Sequence, residues 1–70
     1  MKIKIKDPTE FKKLLAKNGY TQTSFGKAIG VSQTFANQIV NGTRNLKADK
    51  AKKTINLFNV EFEDIFTTVD

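Results

Sequence analysis

Two short apolar stripes of helical period face each other across a narrow gap, and that arrangement leaves the chain few ways to fold. Phe25, Ala28 and Ile29 recur at i, i+3 and i+4, and so do Ala36, Ile39 and Val40. This spacing predicts one helix starting at Thr21 and another capped by Ser32. Gly30 stops the first helix, because glycine enters the left-handed region without a Cβ clash. Asn41-Gly42 stops the second in the same manner. A connection of only about three residues forces the helices to cross steeply instead of lying antiparallel. A steep crossing needs a small residue at the contact, which Gly26 supplies. It also needs apolar residues to fix the angle, here Phe25, Ile29, Val31, Ala36 and Ile39.

The rest of the chain supplies elements to cover this pair. Asp7-Pro8-Thr9-Glu10 reads as a helix start: Asp7 accepts from free N–H groups, Pro8 has no N–H to lose, and Glu10 stands where a capping-box carboxylate reaches back. Phe11, Leu14 and Leu15 form its stripe, and Asn18-Gly19 ends it. Thr43 to Leu46 reads as a short polar loop anchored by Leu46. A further helix from about Lys47 carries Ala48, Ala51, Ile55 and Phe58 on one face and Lys47, Lys50 and Lys53 on the other. A last short helix around Phe62 to Phe66 offers Phe62, Ile65 and Phe66 to the core. In Met1–Lys6, Ile3 and Ile5 alternate with lysine, which suits a short strand or an ordered arm. The isoleucines favour burial as a strand, with Thr67–Val69 as partner. The expected fold is all-α, a compact five-helix bundle in one domain spanning residues 1–70, with that N-terminal strand or arm.

Charge narrows the function. The net charge is +5, unevenly spread. From Asn18 to Leu46 the only charged residues are Lys27 and Arg44. Lysines dominate residues 2–17 and 47–53, and Glu61, Glu63, Asp64 and Asp70 make the C-terminal segment acidic. A carboxylate-free stretch between two basic ones is what a surface facing a polyanion requires, since an acidic group there would repel phosphates. The absence of histidine and cysteine removes the commonest general base, the commonest metal ligand and any disulfide framework. Glu61, Glu63 and Asp64 are too few and too local for a metal cage. The expectation is therefore no enzyme, no cofactor and no metal. No apolar run approaches the roughly 18 residues of a membrane span, so a cytoplasmic protein without a membrane partner is expected.

The segment from Thr21 to Gly42 resembles the helix-turn-helix of the phage repressor and Cro superfamily, the XRE-type family. Thr21-Gln22, Gly30-Val31-Ser32-Gln33-Thr34 and Asn41-Gly42 with Asn45-Leu46 carry the likeness, which runs from about Phe11 to Phe66. The resemblance implies a sequence-specific regulator of transcription, Cro-like or repressor-like and of phage or mobile-element type. Its third helix, about residues 32–41, would lie in the major groove of a double-stranded operator. Gln33 would open that helix, where its amide can bond adenine N6 and N7 together. Thr34, Asn37, Gln38 and Arg44 are the other candidates for base contacts. Thr21, Gln22, Lys27, Ser32, Asn41 and Thr43 are candidates for the DNA backbone. The chain departs from the family at Val40, where glutamate is frequent, and at Phe35, where a smaller or polar residue is. Phe35 can pack on thymine methyls, fold back on the core or meet a protein partner.

Two functional readings follow. In the first, the chain regulates transcription as a homodimer. Because 70 residues leave no room for a separate dimerisation domain, Phe62, Phe66 and Val69 are expected to form the contact. In the alternative, an antirepressor of the same fold acts by gripping a partner repressor, with Phe35 on the exposed face as a candidate partner contact and the acidic C-terminal segment as the second feature in its favour.

Overall fold

The computed structural model describes residues 1–69; Asp70, counted above with the acidic segment, lies outside them. The chain runs β1 (Lys2–Ile5), α1 (Pro8–Lys17), α2 (Gln22–Ile29), α3 (Gln33–Val40), α4 (Ala48–Phe58), α5 (Phe62–Ile65) and β2 (Phe66–Val69). Five helices therefore form as expected, and the N-terminal segment is a strand. It pairs antiparallel with β2, Ile3 opposite Thr68 and Ile5 opposite Phe66. On its other side Ile3 bridges Leu46, whose amide donates to the Ile3 carbonyl at 2.7 Å.

Local chemistry explains the helix ends. Asp7 Oδ1 accepts from the amides of Thr9 and Glu10, leaving Pro8 where no amide is needed. Glu10 does not complete a capping box as anticipated. Its carboxylate lies 3.5 Å from the Lys13 ammonium instead. The box forms at α2, where Thr21 Oγ1 accepts from the Ser24 amide and Ser24 Oγ accepts from the Thr21 amide. At the C-termini of α1, α2, α3 and α4 a single pattern recurs. A left-handed residue (Gly19, Gly30, Gly42 or Asn59) is followed by an amide that reaches back into the last turn of the helix: Tyr20 to Leu15, Val31 to Gly26, Thr43 to Gln38 and Val60 to Ile55.

An aromatic cluster within the core joins α1, α2 and α4. Phe11 meets Phe25 and Phe58 edge-on at 5.3 and 6.0 Å, and Phe25 stacks near Phe58 at 6.1 Å. Tyr20 closes the cluster with an edge contact to Phe58. Ile5, Leu15, Ile29, Ala36, Ile39, Val40, Leu46, Ala51, Ile65 and Phe66 complete the buried set. The exposed alanines and a buried Phe66 depart from expectation, and Thr54 joins the core. Ala28 and Ala48 are exposed: the small residue buried in α2 is Gly26, and the buried stripe of α4 begins only at Ala51 and runs through Thr54 and Phe58. Thr54, not singled out above, is fully buried, and its hydroxyl donates to the Lys50 carbonyl at 2.9 Å, which satisfies it within its own helix. Phe66 is only 2% exposed and opens β2, so it cannot serve a dimer surface as expected; Phe62 is half-buried and Val69 exposed.

Candidate nucleic-acid interface

The crossing of α2 and α3 sets how α3 is presented. A Cβ built on Gly26 would stand 2.9 Å from the Ala36 Cβ and 3.4 Å from the Val31 carbonyl oxygen. Contact this close is possible only for glycine, and it lets α2 brace α3 along its inner side. Ala36, Ile39 and Val40 are fully buried there. The opposite side is left for solvent.

At about 100° per residue, Gln33, Asn37 and Thr34 share one arc of α3, with Gln38 at its border. The first three are exposed and Gln38 is half-buried. Ser32 caps the helix by accepting from the Phe35 amide at 3.1 Å, and its own hydroxyl proton donates to no acceptor among the described residues. Thr21 and Gln22 stand at the corresponding place on α2, so Gln22 and Gln33 are each the first residue of their helix. Neither helix has an acidic residue, and Lys27 is exposed in the last turn of α2. The exposed polar residues of both helices thus carry no carboxylate.

The loop after α3 behaves differently from a string of independent contacts. The amide and the hydroxyl of Thr43 both donate to the Gln38 carbonyl, at 2.9 and 3.1 Å. Both donors of Thr43 are thereby committed to holding the loop, and Asn41 likewise commits its amide to Asn37 while its side chain stays exposed. Arg44 folds back so that its guanidinium carbon lies 4.8 Å from the centroid of the Phe35 ring. Of the three options for Phe35, the geometry shows a half-buried ring packed on the core with its face covered by Arg44.

One lysine of the polar face of α4 stands apart from the others. Lys50 is half-buried, and its ammonium lies 3.4 Å from where a Gly30 Cβ would stand, so a cation from α4 reaches the turn between α2 and α3. The regular spacing of lysines along α4 gave no sign that one of them differs from its neighbours. A shallow cleft of about 290 Å³ between α1 and α5, lined by residues such as Asp7, Lys13 and Asp64, draws no residue from α2 or α3. No helix among the described residues is long and apolar enough to cross a membrane.

Compared with known proteins, residues 11–65 match the model of a family described as helix-turn-helix. No curated protein and no solved structure matches the chain.

Proposed function

The chain belongs to the XRE-type helix-turn-helix family of DNA-binding transcription regulators, and on that premise we propose that it is a Cro-like or repressor-like protein that reads a specific double-stranded operator with α3. The observation that carries this reading is the exposed arc of Gln33, Thr34 and Asn37 on a helix braced by the Gly26–Ala36 contact, with no acidic residue on either α2 or α3.

In this reading the N-terminal part of α3 enters the major groove, as recognition helices do. Gln33 pairs with a base edge, and Thr34, Asn37 and Gln38 read or pack against its neighbours. Arg44 adds a contact at the rim. Ser32, Gln22, Thr21, Asn41 and Lys27 face the phosphates, and Lys50 adds positive charge at the turn. Thr43 supports the loop instead of donating to DNA, because its donors are already bound to Gln38. Such a protein acts in the cytoplasm, where its DNA lies.

A homodimer would place two α3 helices on half-sites roughly 10 base pairs apart, one turn of DNA. Val69 and the half-buried Phe62 are the apolar groups left for that contact. The antirepressor reading rests on Phe35 as a free anchor and on the acidic C-terminal segment, of which only the first concerns the α3 surface. A ring half-buried and covered by Arg44 gives it no support. Selection of duplexes from random DNA by the purified chain, repeated at two salt concentrations, tests the proposal. Enrichment of a common sequence is expected, and retention of DNA without any shared sequence would reject specific readout.

A further inference from the structure

Phe35 lies about 100° round α3 from Thr34, on the flank of the polar arc rather than within it. That flank is where the loop after α3 returns. Gly42 takes a left-handed conformation, and Thr43 ties the loop to the Gln38 carbonyl through two hydrogen bonds. Leu46 pins its far end, being buried and bonded to Ile3. Arg44 thus stands on a segment fixed on both sides, with its guanidinium within the range over which an aromatic face attracts a cation. Among the described residues Arg44 makes no ion pair.

We propose that Phe35 is a positioning residue that holds Arg44 flat against the flank of α3, so that the N–H edge of its guanidinium meets a paired acceptor on the DNA. The proposal rests on the DNA-binding reading above and deepens it. An exposed arginine on a loop samples many rotamers, and fixing it on contact costs affinity. The cation–π contact with Phe35 orders the guanidinium beforehand, and a guanidinium lying on a ring keeps the edge that carries its fork of donors. That fork matches two acceptors side by side, which DNA offers as two oxygens of one phosphate or as O6 and N7 of guanine.

The test uses the full chain, its selected operator duplex and single-base variants of that duplex, read by fluorescence anisotropy. R44A is expected to weaken binding about tenfold, and F35L, which keeps an apolar side chain but loses the ring, about threefold. F35Y is expected to bind like the parent. R44K, with the charge but not the plane, is expected to bind little better than R44A. The double variant F35L/R44A is expected to bind no more weakly than R44A, because Phe35 acts through Arg44. If F35L costs the same factor with and without Arg44, or if R44K restores full binding, the proposal is wrong. Loss of affinity for every sequence, with a shallower salt dependence, assigns the acceptor to a phosphate. Loss at one guanine position assigns it to the base.

A second readout needs no DNA. In the free protein the Arg44 δ-protons are expected upfield by the ring current of Phe35, in the parent and in F35Y, and at their ordinary position in F35L. An unshifted Arg44 in the parent overturns the platform even if operator binding is confirmed. A shifted Arg44 in a chain that binds no duplex rejects the DNA reading and leaves the platform standing.

Discussion

Gly26 and Ala36 touch so closely that a single methyl group on Gly26 would stand 2.9 Å from the Ala36 Cβ. The nearest atoms on the Gly26 side also include the backbone oxygens of Val31 and Ser32, which have little freedom to move. This contact fixes the angle between the bracing helix and the helix proposed to read DNA.

Gly26→Ala is therefore expected to destabilise the fold by about 1–3 kcal/mol, as overpacking does. In a chain of this size each kcal/mol lowers the melting temperature by roughly 4–8 °C. Ala36→Gly removes the opposing methyl, so the double variant should be less destabilised than the sum of the two single ones. Thermal unfolding of the three variants checks this. Simple additivity would mean the two positions are not in contact.

The crossing pair was legible in the sequence because its constraints are local. Glycine at a left-handed turn, a serine cap and stripes at i, i+3 and i+4 act within a few residues of each other. Leu46 as anchor was legible too, whereas the alternation of Ile3 and Ile5 fitted a strand or an ordered arm alike and only the gain from burying them favoured the strand. What escaped detection depends on chain reversal. The return of Arg44 over Phe35 requires the loop to turn back along α3, and no spacing between positions 35 and 44 encodes that. Thr54 was passed over because a threonine inside a lysine-rich helix looks solvated, whereas its hydroxyl bonds to the Lys50 carbonyl and its methyl can then be buried. Ala28 and Ala48 misled because alanine fits either face of a helix.

Gln33→Ala is expected to remove preference among sequences while leaving most non-specific affinity. The side chain is exposed at the first position of α3 and supports nothing in the fold, so its loss leaves stability within about 0.5 kcal/mol. A correct bidentate contact to a base is worth about 1–3 kcal/mol of discrimination. Repeating the selection from random duplexes with the variant checks this, and an unchanged preferred sequence would show that Gln33 is not a reading residue.

Binding is expected to weaken steeply with salt, since Lys27, Lys50 and Arg44 supply cations beside two helices that carry no carboxylate. Each phosphate contact contributes a slope of about −0.9 in log affinity against log salt. Lys27→Gln should weaken binding to all duplexes alike and make the slope shallower by about 1. Anisotropy titrations at several salt concentrations read both quantities. A sequence-dependent loss would place Lys27 at a base edge instead.

The N-terminal strand makes a prediction that separates it from a mobile arm. The Ile3 carbonyl accepts from Leu46, so the polar groups of Ile3 point away from β2. In an antiparallel pair these directions alternate, so the amides of Lys4 and Thr67, which face each other in the register, point into the β1–β2 ladder. Lys6 continues the alternation by donating to the Ile65 carbonyl at 2.9 Å. The amides of Lys4, Lys6 and Thr67 should therefore exchange with solvent slowly, only when the sheet opens, whereas those of an arm lying on DNA would exchange freely in the unbound protein. Ile5 couples this ladder to the core, being 3% exposed opposite Phe66. Ile5→Ala should cost about 2–5 kcal/mol, a large share of what so small a core supplies. Protection at Lys4 and Thr67 should fall together with the melting temperature. If Ile5→Ala melts like the parent while those amides exchange freely, β1 is not part of the folded core and Lys2, Lys4 and Lys6 become available to the phosphates.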